Sequence, residues 1–144
     1  MRTTRIAAIT ILFMFLSTPV WAQTGSVSVT VNQIDVAKGG KVSIGLYDDK
    51  GFPVIGKGVK EVALDVKETS LSYVFTGIPA GKFAIAVFQD ENSDGQLNKN
   101  MVGAPKEPYG FSKNVYGMFG PPDFEDVAFD VEEEQLTSLS ITLE

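Results

Sequence analysis

The sequence predicts an all-β protein that folds as an antiparallel β-sandwich of about seven strands. Two observations support this fold class. Apolar and polar residues alternate along short runs, and segments with glycine, proline and asparagine separate these runs. No stretch after residue 22 sustains the period of about 3.6 residues that an amphipathic helix requires. A closed β-barrel is the structural alternative.

Six of the runs alternate cleanly, so each corresponding strand should place one face on a core and the other in water. These runs occupy residues 27–31, 42–46, 62–66, 71–75, 127–131 and 139–143. The remaining run, Phe83 to Phe88, is apolar on both faces, which predicts a central strand. Its small residues, Ala84 and Ala86, indicate that another part of the chain packs closely over the second face.

Turn-forming residues connect the predicted strands. Gly39 and Gly40 separate the first two, and the segment 77–81 joins the fourth and fifth with a glycine at each end, where a positive φ is tolerated. The longer segment 46–60 is expected to cross from one sheet to the other. This pattern predicts a single domain over residues 23–144, a sandwich of immunoglobulin-like or prealbumin-like type.

Residues 1–22 are predicted to be a cleaved signal peptide. Arg2 and Arg5 form a positive amino-terminal region, an apolar run over residues 6–16 follows, and Ala22 precedes the expected cleavage point. The alternative is a retained membrane anchor, but a bilayer span needs about 20 apolar residues. We therefore expect a periplasmic or secreted protein without a membrane span after cleavage.

Charge and composition exclude several classes of function. The chain of 144 residues has a net charge of −6 and contains no histidine and no cysteine. Its acidity argues against binding to nucleic acid, which requires a basic surface. Without histidine and cysteine the chain lacks an imidazole or thiol nucleophile, a Ser-His-Asp triad and the ordinary ligands of zinc, copper and haem. We therefore predict that the protein is not an enzyme and has no catalytic residues.

An acidic turn directly after the central strand has the spacing of a calcium loop. Asp90, Asn92 and Asp94 offer side-chain oxygens at alternate positions, and the glycine that follows permits a sharp turn. Gln96 would contribute its backbone carbonyl, and Asn98 a further oxygen. With so few carboxylates, we expect a calcium affinity of only about 10⁻⁴–10⁻³ M.

The same loop departs from the EF-hand pattern at its twelfth position, where Met101 stands in place of a bidentate Glu. A further ligand would have to come from elsewhere, and Glu107 and Asp123 are the suggested donors. The alternative interpretation is a plain polar turn, in which the Asp and Asn side chains accept hydrogen bonds from their own backbone.

A long loop over residues 103–122 is the second candidate site. It is rich in glycine and proline and carries four aromatic residues, Tyr109, Phe111, Tyr116 and Phe119. These side chains could stack on sugar rings or anchor a partner protein. The favoured alternative is that they pack against one another as the loop's own small core.

An acidic cluster follows this loop, formed by Asp123, Glu125 and Asp126. A carbohydrate-active envelope enzyme that uses these carboxylates is the alternative to a binding module. Glycoside hydrolysis would require a cleft and two carboxylates at a matched separation. Neither requirement is visible in the sequence.

Three stretches resemble a known family. They are 75–92 (FTGIPAGKFAIAVFQDEN), 103–112 (GAPKEPYGFS) and 119–126 (FGPPDFED). Together they closely resemble the bacterial exported domain-of-unknown-function family DUF2141. The resemblance implies a periplasmic or secreted single-domain β-sandwich with no assigned catalytic residues. Where members of that family commonly carry Asp, this chain has Asn98.

These observations predict an exported, non-catalytic β-sandwich module that binds an envelope protein or a glycan. The acidic turn and the aromatic loop are the expected binding elements, with calcium as a structural clamp. A purely structural envelope protein is a further alternative.

Overall fold

The computed structural model describes residues 23–144. The predicted signal peptide, residues 1–22, lies outside the described residues. The strands are β1 (Thr24–Asn32), β2 (Lys41–Tyr47), β3 (Lys60–Asp65), β4 (Ser70–Pro79), β5 (Gly81–Asp90), β6 (Tyr109–Phe111), β7 (Phe129–Val131) and β8 (Leu136–Thr142). A 3-10 turn follows β6 at Ser112–Asn114, and a four-residue helix, α1, spans Phe124–Val127.

The strands form two sheets, which confirms the predicted all-β sandwich. One sheet has the order β4-β1-β8, and the other has the order β3-β2-β5-β6, with β7 also paired to β5. Adjacent strands are antiparallel except β1 and β8, which are parallel. Among residues 23–144, no helix has the length and apolar character that crossing a membrane would require.

The main core lies between the sheets and is built from the apolar positions of the alternating runs. The fully buried members include Val27, Val29, Val31, Ile44, Leu46, Ile78, Ile85 and Ile141. Within each alternating run these side chains share the inner face, because residues two apart lie on one face of a strand. Ile78 lies beyond the run 71–75 and joins the core past an irregularity in the pairing of β1 with β4. The period-two pattern therefore identified the inner faces of the strands, except at Val127, which packs in a separate smaller core.

Strand β5 is the central strand that its sequence predicts. It pairs with β2 through residues 84–90, with β7 through 81–83 and with β6 through 86–88. A second, smaller core covers its outer face, where Ala84 packs with Phe111 and Val127. The alanine is small enough to let these larger side chains approach the sheet.

The prediction that residues 46–60 cross between the sheets is wrong. Strands β2 and β3 are antiparallel neighbours in one sheet, so this segment is a long hairpin connection, and the chain changes sheet between β3 and β4. The Glu61 carboxylate stabilises the connection by accepting hydrogen bonds from the N–H groups of Gly56 and Gly58. Because these contacts fix the path of the connection, its sequence shows no periodic pattern from which that path could be predicted.

Two short elements also differ from the prediction. The long loop contains the strand β6, which has only three residues and therefore too few positions for alternation to be recognised. The run 127–131 forms a strand only from Phe129 onward, because Val127 ends helix α1. The acidic residues Glu125 and Asp126 lie within this single helical turn.

Candidate functional site

The acidic turn begins at the end of β5 with a buried carboxylate. Asp90 is 2% exposed, and its two oxygens accept hydrogen bonds from the backbone N–H groups of Asp94 at 3.1 Å and Gly95 at 2.8 Å. Gly95 has a φ of 76°, a conformation that favours glycine. Asp90 therefore folds the chain back on itself immediately after the central strand.

Three further side chains of the turn contact one another. The amide nitrogens of Asn92 and Asn98 donate to Oδ2 of Asp94 at 3.0 and 3.1 Å, and the Asn92 amide also donates to Oδ1 of Asn98 at 3.1 Å. Oδ1 of Asp94 accepts from the N–H of Gln96 at 2.8 Å. The Asn98 contact, followed by the Gln96 N–H, lowers the pKa of Asp94, because both stabilise the ionised carboxylate.

Glu107 closes the turn from a distant part of the chain. It is 5% exposed, and its carboxylate accepts from the backbone N–H of Glu91 at 3.0 Å and from that of Asn98 at 2.9 Å. The structure therefore places Glu107 beside the turn, where it holds backbone at both ends. Asp123, the other suggested ligand, is the exposed residue that precedes α1.

The remaining side chain at the turn is Glu91, which pairs with Lys38 at 2.8 Å. This contact raises the pKa of Lys38 through a hydrogen bond to the carboxylate and through its charge. Within residues 23–144, no group of three or more His, Cys, Asp or Glu side chains is arranged to hold a metal ion. The oxygen donors at the turn are the carboxylates of Asp90, Glu91, Asp94 and Glu107, two asparagine amides and backbone carbonyls.

The aromatic residues of the long loop divide into two sets. Tyr109, Phe111 and Tyr116 pack edge to face, with ring centroids 5.8 to 6.4 Å apart. The hydroxyl of Tyr116 donates to the carbonyl of Thr142 at 2.6 Å, and burial raises the pKa of this tyrosine. Phe119 is different, because it is 99% exposed.

Phe119 lies on the rim of a cleft that the sequence did not reveal. The cleft has a volume of about 750 Å³ and lies between three loop segments, residues 53–55, 96–105 and 117–121. Its lining includes Met118 and Val102, which are 88% and 87% exposed. Isolated apolar residues in loops form no periodic pattern that the sequence could show. They become one surface because the three loop segments meet in the folded structure.

Comparison with curated proteins and with solved structures gave no match. A family model did match, and the matched region contains the acidic turn, the aromatic loop and the cleft segments. Residues 29–138 match the model of an uncharacterized protein conserved in bacteria (DUF2141), and the chain therefore belongs to this family.

Proposed function

We propose that the protein is an exported, non-catalytic binding module that docks an envelope protein in the cleft between its three loop segments. The observation that carries this proposal is the exposure of Met118 and Phe119, at 88% and 99%, on the rim of a cleft of about 750 Å³. Export is supported by the signal-like pattern of residues 1–22.

Exposed apolar side chains of this size favour an interaction surface. Large apolar groups that gather on one surface commonly mark a binding site, and Phe and Met are enriched at the centres of protein interfaces. Val102 joins Met118 and Phe119 on the cleft, and Val54 and Ile55 are 49% and 38% exposed, so the exposed groups come from all three segments. Burial of these groups against a partner would contribute about 25 cal/mol per Å² of apolar surface.

The arrangement of the aromatics favours a protein partner over a glycan. A sugar-binding surface presents flat aromatic faces for stacking. Phe111 and Tyr116 contact other rings edge to face, and Phe111 is buried. Of the four aromatics in the loop, Phe119 is the fully exposed one, and its neighbour Met118 suits a protein surface.

The enzyme alternative gains no support from the acidic cluster beside α1. Asp123, Glu125 and Asp126 are exposed, and none of them lines the cleft. Glu125 pairs with Lys82 at 3.1 Å. A retaining or inverting glycosidase needs two carboxylates on opposite sides of a bound sugar, one of them with a raised pKa.

Weak calcium binding at the acidic turn is the second part of the proposal. Its support is the convergence of Asn92, Asp94 and Asn98, whose side-chain polar atoms lie 3.0 to 3.1 Å apart. Rotating the two amides by half a turn would present oxygens in place of nitrogens beside Asp94. A calcium ion with ligands at about 2.3–2.6 Å would replace those hydrogen bonds and clamp the turn.

Calorimetric titration tests the calcium proposal, with Asp94→Asn as the variant and Asp49→Asn as the control. Asp49 is exposed in the connection after β2. We expect binding of about 10⁻⁴–10⁻³ M in the parent and the control, and loss of binding in Asp94→Asn. Absence of heat and of any change in melting temperature with millimolar calcium would contradict this part of the proposal alone.

Site-specific photo-crosslinking in the living bacterium tests the docking proposal. A photoreactive phenylalanine analogue replaces Phe119 in one strain and Ser138, an exposed residue of β8, in the control strain. We expect one discrete protein adduct from position 119 and none from position 138, and Met118→Ser should reduce it. Equal adducts from both positions, or no adduct from position 119, would refute docking at the cleft.

A further inference from the structure

Four small residues from three neighbouring strands meet on the outer face of the larger sheet. Gly45 of β2 lies opposite Ala86 of β5, and Ser43 of β2 lies opposite Ala63 of β3. Residues two apart on a strand share a face, so these four positions form one continuous area. With a hydrogen atom, a hydroxymethyl group and two methyl groups as side chains, this area is a shallow floor.

Larger side chains surround the floor and produce a pocket. Tyr47, Phe88 and Phe111 line it from the sheet, and Ile55 and Leu97 line it from two of the loops. The ring of Tyr47 lies over Gly45, where an added Cβ would come within 2.4 Å of it, so Ser43, Ala63 and Ala86 form the part of the floor that stays open. The pocket has a volume of about 300 Å³, which suits a small ligand.

The charge of the pocket comes from one side chain. Glu61, which lies opposite Gly45 on β3, is the charged residue among those that line the pocket. Its Oε1 accepts from the backbone N–H groups of Gly56 at 3.0 Å and Gly58 at 2.8 Å, which holds the carboxylate in place. Its second oxygen accepts one longer bond of 3.3 Å from Gly56. The Tyr47 hydroxyl is a further hydrogen-bonding neighbour of this carboxylate, and the lone pairs that remain can accept a donor from a ligand.

We propose that this pocket binds a small aromatic amine, with the ring beside Tyr47 on the floor of Ser43, Ala63 and Ala86 and the ammonium group against Glu61. A flat ring fills the space that the small residues leave, and the aromatic walls supply edge contacts with it. The cation pairs with the fixed carboxylate, whereas an anion of the same shape is repelled. This pocket goes beyond the proposed docking function, because Met118 and Phe119 do not line it.

Tryptamine and indole-3-propionate form a matched pair of probes for this pocket, since they share a ring and differ in charge. Binding is followed by amide chemical shifts of the isotope-labelled protein. We expect tryptamine to shift the amides of Gly45, Ala63 and Ala86 and to bind at least about tenfold more tightly than indole-3-propionate. Equal affinities, or tryptamine shifts confined to residues outside the pocket, would refute the proposal.

Two variants test the floor and the charge separately. Ala63→Leu fills the floor at an exposed position of an edge strand, and it should weaken tryptamine binding at least about tenfold. Glu61→Gln keeps an oxygen that can accept from the glycine amides, and it should remove the preference for tryptamine. Ser138→Leu on β8 is the control for an added leucine. Parent-like tryptamine binding by Ala63→Leu would overturn the assignment.

The docking cleft and the pocket share Pro53, Ile55 and Leu97 in their linings, but Met118 lines only the cleft, so it distinguishes the two proposals. The variant Met118→Ser should reduce crosslinking at the cleft and leave tryptamine binding unchanged, because Met118 lies outside the pocket lining. Loss of tryptamine binding in this variant would place the probe in the cleft and contradict the pocket.

Discussion

The hydroxyl of Ser112 accepts a hydrogen bond from the backbone N–H of Ile85 at 3.0 Å. The same hydroxyl donates to the carbonyl of Val127 at 2.6 Å. Ile85 lies in the stretch of β5 between the residues that pair with β7 and those that pair with β6. Ser112, which is fully buried, therefore supplies a partner for a backbone group that neither short strand reaches.

Replacement of Ser112 by alanine should destabilise the protein by about 1–3 kcal/mol. The variant leaves the buried N–H of Ile85 and the carbonyl of Val127 without this partner, and unsatisfied buried groups carry a desolvation cost of that size. Urea unfolding measures the change, with Ser138→Ala as the exposed control. A loss for Ser112→Ala no larger than that of the control would contradict the assigned role.

Replacement of Glu107 by glutamine should loosen the acidic turn at both ends. The amide keeps one acceptor oxygen, but its NH₂ group cannot accept from a backbone N–H, and the charge that strengthened both bonds is lost. We expect the Glu91 and Asn98 amides to exchange with solvent at least about tenfold faster, as measured by hydrogen–deuterium exchange. The amide of Ile44, in the core strand β2, serves as the internal reference. Unchanged exchange at Glu91 and Asn98 would show that Glu107 does not hold the turn.

The lowered pKa of Asp94 predicts a specific pH dependence of stability. A carboxylate whose pKa is lower in the folded state stabilises the fold above its unfolded pKa of about 4, and this contribution disappears as the pH falls through the folded pKa. Asp94→Asn should therefore lower the melting temperature near neutral pH, and the difference from the parent should shrink in acid. Thermal unfolding at several pH values measures this, and a difference that grows below about pH 4 would be the wrong sign.

Replacement by alanine should cost much more stability at Phe52 than at Phe119. Phe52 contacts Tyr47, Phe111 and Phe124, with ring centroids 5.8 to 6.0 Å apart, so it joins the long β2–β3 connection to the smaller core. Phe52→Ala should cost about 2–4 kcal/mol of unfolding free energy, because it is half-buried and leaves a cavity. Phe119→Ala should change stability by less than about 0.5 kcal/mol. Denaturant unfolding of both variants compares the two costs, and a large loss for Phe119→Ala would mean that this ring packs in solution.

Much of the fold was predictable because its cause is local. Burial of one strand face requires an apolar residue at every second position, so runs such as Val27 to Val31 identify strands and their inner faces together. The path of residues 46–60 was not predictable, since it depends on contacts such as Glu61 with Gly56 and Gly58. The parallel pairing of β1 with β8 likewise depends on residues more than a hundred positions apart.

The residues of the candidate sites also fall into two groups, those that the sequence identified and those that required the folded structure. The spacing of Asp90, Asn92 and Asp94 identified the polar turn, because short side chains at alternate positions reach the backbone of their own turn. Glu107 was suggested only as a metal donor, and its hydrogen bonds to Glu91 and Asn98 required the fold. No pattern in the sequence identified Met118 as a surface residue of the cleft.

The sequence by itself determined the β-strands, the central position of β5 and the acidic turn. These properties follow from residue types, from their period of two and from side chains that act within a few positions. Only the tertiary structure decided which surfaces exist. The floor of Ser43, Ala63 and Ala86 depends on cross-strand register, and the cleft beside Phe119 depends on three loops that meet. Both surfaces are formed by residues that are far apart in the sequence, so a pattern over a few neighbouring residues cannot predict that they meet.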